Sequence, residues 1–130
     1  MSSATVNATT LLIGRLLLAS LFILEGWSKL KGYDGAAAYM QKFGVSGGLL
    51  PFVILAEIGA GACIAIGWQT RGAALALAGF SILAAAIFHA NLADRNQLLH
   101  FEKDLAIAGG LLILLAQGAG DWSLDQRSRN

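Results

Sequence analysis

The chain has 130 residues, 56% of them hydrophobic and 13% charged, with a formal net charge of +1 and a mean hydropathy of +0.64. A soluble domain carries about 25% charged residues, so this chain lacks the polar surface needed to face water. The balanced charge excludes a basic field for nucleic acid and an acidic tail. Cys63 is the only cysteine, which excludes an internal disulfide, a CxxC redox pair and a cysteine-rich metal site.

Hydropathy sets the next constraint. A helix needs about 20 mainly apolar residues to cross roughly 30 Å of hydrocarbon. The first candidate span covers about residues 9–30, TTLLIGRLLLASLFILEGWSKL. Its leading flank has no Lys or Arg, and its far end, EGWSKL, is no small-residue cleavage site, so it reads as a span and not as a signal peptide. At 100° per residue, Arg15, Glu25 and Lys29 fall within about an 80° arc, with Trp27 opposite. The charged stripe is expected to face protein and Trp27 the lipid interface. Glu25 and Lys29 are spaced i,i+4 in the favourable order for an ion pair. Arg15, alone in its half of the helix, is expected to reach outward along the helix as a snorkelling anchor.

The connection YDGAAAYMQKFGVSGG predicts a short interfacial helix. Asp34 is placed to cap its start and Gly44 to end it, and Ala36, Tyr39, Met40 and Phe43 share one face. It would lie as a lid over that end of the protein. The second span is about 49–68, LLPFVILAEIGAGACIAIGW. Gly59, Cys63 and Gly67 recur every four residues and predict a close-packing stripe. Glu57 lies roughly 12 Å into this span, too deep for its short side chain to reach water. An ionisable group there must be protonated or paired, and it reads as functional by default.

The tight turn WQTRG leads to the third span, about 70–92, in which Gly72, Ala76 and Ala84–Ala86 are expected at packing surfaces and His89 near the end. The fourth span, about 101–118, is the shortest. It opens with His100, Lys103 and Asp104 on one face. Lipid accepts only helices or closed barrels, and these runs lack the alternation of barrel strands. Short connections make consecutive helices antiparallel. The expectation is an all-α, up-down-up-down transmembrane four-helix bundle comprising residues 1–130 as one domain. No loop is long enough to fold as a separate soluble unit.

In that arrangement Glu25, Lys29, Glu57, His89, His100, Lys103 and Asp104 all fall in the half of the bundle away from the termini. Every helix contributes to this set. Interhelical polar bonds average only about 0.6 kcal/mol in membranes, a small return for so many ionisable groups. A polar, ligand-binding pocket is therefore preferred over a purely structural network.

Several pieces of the sequence together resemble the DoxX family of small four-helix membrane proteins. They are GRLLLASLFILEGWSKLKGYDGAAAYM, AEIGAGACIAIGWQTRGAALAL, FHA, NQLLHFEKDLAIAGGLLIL and GDWSLD, in this order, over about residues 10–125. In the family pattern the residue after the fourth-helix Lys is usually Asn. Here it is Asp104, which adds a carboxylate. The resemblance implies a bacterial inner-membrane, multi-pass protein with a loose link to redox chemistry. Relatives are associated with quinone-reducing sulfur oxidation and with membrane-bound oxidative-stress complexes, but no general catalytic mechanism comes with the family.

Two functional readings stay open. In the first, the chain is a subunit of a membrane redox system whose polar pocket meets a quinone, since quinone reduction takes up protons with electrons. The chain holds no GxGxxG and no iron–sulfur ligands, so electrons would come from a partner membrane or redox protein. Haem on His89 and His100 is disfavoured against two helix-end interface histidines, and no metal site is expected. In the second, the chain is a non-enzymatic assembly or stabilising factor for another membrane protein, and an exposed Gly59/Cys63/Gly67 stripe would mark it. Transport ranks last, with only Gly59 and Gly61 as candidate helix breaks. A homo-oligomer is compatible with each reading.

Overall fold

The structure is a computed structural model that describes residues 2–129. It is all-helical among the described residues. The helices are α1 (Ser3–Lys31), α2 (Tyr33–Lys42), α3 (Gly47–Ile66), α4 (Thr70–Phe88), α5 (Arg95–Gln117) and α6 (Leu124–Arg129). Of these, α1, α3 and α4 are long and apolar enough to cross a membrane. The α5 helix is not among them: any stretch of it long enough to span takes in Glu102, Lys103 and Asp104.

The ends of these helices follow local chemistry. The α1 helix starts earlier than hydropathy suggests because the Ser2 hydroxyl accepts from the Thr5 N–H at 3.1 Å. Thr9 and Thr10 donate back to the Thr5 and Val6 carbonyls, so their hydroxyls are satisfied within the helix. The α4 helix stops at Phe88, short of residue 92. The Asp94 carboxylate accepts from the Asn96 N–H at 2.9 Å and starts α5 well before residue 101. In the first loop, Gly44 at φ 81 ends α2 as expected, whereas Asp34 sits inside the first turn and Gly32 takes the cap position.

The α1 and α3 helices pack antiparallel. Arg15 meets Ile64 at one end, and Gly26 meets Ile58 and Glu57 at the other. The α4 and α5 helices form the second close pair. Ala19 and Phe22 of α1, Ile64 of α3, Ala73, Ala74, Leu77 and Ala78 of α4, and Leu111 and Leu114 of α5 make one core. Lipid removes most of the hydrophobic drive between helices, so close van der Waals packing of small side chains has to hold them. The small residues that do this differ from those expected. Gly61 lies against Ala19, Phe22 and Ile23, while Gly59 meets only its own helix, at Leu55. Cys63 is half-buried against the core. On α4 the packing face is Ala73, Ala74, Ala78 and Ala85, and Gly72 and Ala76 point outward.

A second, smaller cluster of Met40, Leu50 and Ile54, with Ala36, Ala37 and Phe88 against it, fastens α2 over the end of the protein away from the termini. Tyr39, Phe43 and Phe88 complete it as an aromatic trio with ring centroids 5.0–5.7 Å apart.

Arg15 departs most from expectation. It is 1% exposed and is no outward anchor. Its Nε donates to the Ile64 carbonyl and its Nη2 to Ala65, at 3.0 and 2.9 Å, at the end of α3, where Ile64 also accepts from the Gly67 N–H at 3.2 Å. Its Nη1 donates to the Ala119 and Trp122 carbonyls at 2.7 and 2.9 Å. The planar guanidinium thus ties α1, α3 and the segment after α5 at one point. The same segment seals the α3–α4 turn. Gly67 ends α3 at φ 72, a conformation that favours glycine. A Cβ there would collide with Ser123. The Asp125 carboxylate accepts from the Gln69 and Thr70 N–H groups at 2.8 and 3.0 Å, capping α4 from a distant part of the chain.

Candidate functional site

The polar groups at the end away from the termini form two linked clusters. The first joins α1 to α3. Lys29 Nζ lies 2.9 Å from Glu57 Oε1 and 3.7 Å from Glu25 Oε2. The Glu57 side chain is 3% exposed and that of Glu25 57% exposed. Lys29 therefore serves chiefly as the partner of the buried carboxylate on the neighbouring helix. The i,i+4 bridge read from the sequence is its outer, longer contact. A buried carboxylate needs such a cation, and this one comes from one turn beyond Gly26. That glycine permits the approach: a Cβ at position 26 would stand 2.6 Å from Ile58 Cγ1 and 3.2 Å from Glu57 Cβ.

The backbone around Glu57 is special. Residues Ala56–Ala60 form a π-helical turn inside α3. Such turns insert an extra residue into the helical ladder, and they recur at functional sites. Hydropathy cannot reveal one. The hint in the sequence is Gly59 and Gly61, read as candidate breaks; the helix there widens and does not unwind.

The second cluster joins α4 to α5. His89, at the end of α4, places Nε2 3.8 Å from Asp104 Oδ2, with both side chains about four-fifths buried. His100 stacks on His89 with ring centroids 4.9 Å apart and 22° between planes. His89 Nδ1 and Asp104 Oδ2 are buried without a hydrogen-bond partner among the described residues. Asp104 lies within electrostatic reach of Glu25 and Lys29, which brings the two clusters to one level of the protein. His100 and Lys103 are exposed, and Lys103 makes no ion pair among the described residues. Trp27 is 54% exposed, on the side away from this set.

Chemically, the site offers a buried carboxylate–ammonium pair beside an imidazole–carboxylate pair, with α2 and its aromatic trio close by at Phe88. Both pairs can hold or exchange a proton. The histidine geometry does not suit axial haem ligation, which addresses the iron from opposite faces of the macrocycle; here the two rings lie against one another. Among the described residues, no three His, Cys, Asp or Glu side chains are grouped to hold a metal ion. Two clefts, of about 350 and 420 Å³, open at the other end of the protein, around residues 117–127.

Comparison with known proteins adds the family. Residues 10–90 match the sequence profile of the DoxX family. Inner membrane protein YqjF of Escherichia coli (strain K12) is 46% identical over 115 residues, covering 88% of this chain and 88% of that protein. Inner membrane protein YphA of the same organism is 32% identical over 124 residues, covering 90% of this chain and 89% of that protein. No solved structure matches the chain. With three helices able to cross a bilayer, the chain is a multi-pass inner-membrane protein, and it belongs to the DoxX family.

Proposed function

We propose that the protein is a subunit of a membrane redox system in which Glu25, Lys29, Glu57, His89, His100, Lys103 and Asp104 form a polar pocket for a quinone headgroup. In this reading α5 is the fourth span. Its charged first turns lie at the pocket level and its apolar remainder completes an up-down-up-down bundle that makes residues 1–130 a single transmembrane domain. The observation that carries the reading is the Lys29–Glu57 pair, its carboxylate buried at a π turn, with the His89–Asp104 pair of the other two helices at the same end of the protein. A quinone carbonyl takes up a proton with each electron, and paired acids and bases beside apolar helix faces supply that need. The inner residues Lys29, Glu57, His89 and Asp104 would contact the ring, while His100 and Lys103, which are exposed, would stand at the mouth. Displacement of α2 would open the way in. Electrons would come from a partner protein.

The test is compositional. The protein is purified in mild detergent, and its bound small molecules are identified by mass spectrometry beside a visible spectrum. The expected result is a quinone near one per chain, lost in Glu57→Gln with the fold retained. A protein that holds no quinone and binds none when it is added would overturn the reading.

A second reading, an assembly factor for another membrane protein, has its own observation. The Gly59/Cys63/Gly67 stripe is not open, since Gly67 lies under Ser123. Gly72 and Gly79 of α4, however, share an exposed face with Ala76, and a Cβ at either glycine would meet nothing within 4 Å. A partner helix could approach there. Proteins that co-purify with the wild type and are lost in Gly79→Leu would support it.

A further inference from the structure

The larger cleft at the termini end, about 420 Å³, is lined by Asn7, Gln69, Arg71, Gln117, Asp121 and Gln126, together with residues 118–120. It is polar, and it lies where α1, α4 and α5 leave the apolar zone. Trp68 and Trp122, 48% and 50% exposed, stand at the same end, as tryptophans do at the headgroup level of a bilayer. Arg71 has a defined place in the cleft. Its guanidinium lies on the backbone of Gly118, so close that a Cβ there would stand 3.1 Å from Nη2. The positive φ of 77° keeps that position suited to glycine. Arg71 makes no ion pair or side-chain hydrogen bond among the described residues, so a planar set of N–H donors faces the cleft. The N–H groups of Gln69 and Thr70 are already taken by Asp125. Arg71 is the cation among the residues that line the cleft.

We propose that this cleft binds the headgroup of phosphatidylethanolamine, with its phosphate on Arg71 and its ammonium on Asp121. Arginine matches phosphate oxygens in pairs. Asp121 stands in the same lining as Arg71, so a headgroup carrying both a cation and an anion fits the cleft better than one of net negative charge. An ethanolamine ammonium donates hydrogen bonds to a carboxylate and to the side-chain amides, whereas a choline has no N–H to give.

The test uses the delipidated full chain in detergent, titrated with phosphatidylethanolamine, phosphatidylcholine and phosphatidylglycerol of identical acyl chains. Bound lipid is counted by native mass spectrometry, and tryptophan fluorescence gives an independent readout. Phosphatidylethanolamine should bind roughly tenfold more tightly than the other two. Arg71→Gln should weaken all three lipids. Asp121→Asn should bring phosphatidylethanolamine to the level of phosphatidylcholine. Asp121 is exposed, so this variant carries the test even if Arg71→Gln fails to fold. Equal binding of the three lipids, or an unchanged preference in Asp121→Asn, overturns the proposal. Soluble phosphoethanolamine binding as well as the lipid would also overturn it, by assigning the site to a free metabolite.

Discussion

Lys29 faces two carboxylates, and replacing it separates their contributions. The contact to Glu25 is 3.7 Å long and that partner is 57% exposed; the contact to Glu57 is 2.9 Å and that partner is 3% exposed. An exposed pair is worth about 0.2–1 kcal/mol. Stranding a buried charge costs about 3–5 kcal/mol. Lys29→Met should therefore destabilise by about 3–5 kcal/mol, and Glu25→Gln by less than about 1 kcal/mol. Adding Glu57→Gln to Lys29→Met removes the stranded charge and should recover more than about half of the loss, a coupling typical of residues in one network. The assay is unfolding in mixed micelles by added dodecyl sulfate, followed by circular dichroism, for the two partners singly and in a double-mutant cycle. If Lys29→Met proves as mild as Glu25→Gln, or if Glu57→Gln fails to rescue it, the buried pair is not what holds α1 to α3 at this level.

Other expectations follow from the same structure. Gly26→Ala should weaken the α1–α3 contact, because the new methyl group meets Ile58 and Glu57. Gly14→Ala, on the same helix with nothing within 4 Å, should be neutral or gain up to about 1 kcal/mol from helix propensity; the pair is read by unfolding side by side. Arg15→Met removes the side-chain donor from the Ile64, Ala65, Ala119 and Trp122 carbonyls, of which Ile64 keeps a second donor, the Gly67 N–H at 3.2 Å. It should expose the chain after Gln117 to limited proteolysis, and wild-type resistance would contradict the clamp. Asp125→Ala should cost about 1–2 kcal/mol as a lost helix cap, measured by the same unfolding assay. Trp27→Ala should change stability little because the ring is half-exposed. A severe loss of assembly would show that this face packs on protein.

The gathering of the candidate site's polar groups is legible as a convergence. Polar residues interrupting apolar runs at Glu25, Lys29, Glu57, His89 and Asp104 stand out by hydropathy, and antiparallel connectivity brings them to one end. The structure places all five there. The grading within that set was not legible. His100 and Lys103 share the sequence face of Asp104 yet lie exposed, because α5 is only partly covered where it begins. The packing stripe was misplaced for a related reason. Spacing of four marks Gly59 and Cys63, but the π turn shifts the register, and Gly61 meets α1 instead.

The membrane class, the long helices, the short helix of the first loop and the end at which Glu25, Lys29, Glu57, His89 and Asp104 gather can all be read along the chain. Each follows from composition, hydropathy and helical period, which are properties of neighbouring residues. Tertiary packing alone settles which partner Lys29 prefers, that Arg15 is buried, and that the segment around Ser123 and Asp125 closes the α3–α4 turn. Those outcomes join residues far apart in the chain, such as Arg15 with Ala119 and Asp125 with Thr70. A buried charge takes the partner that packing brings nearest, and no local pattern encodes that distance.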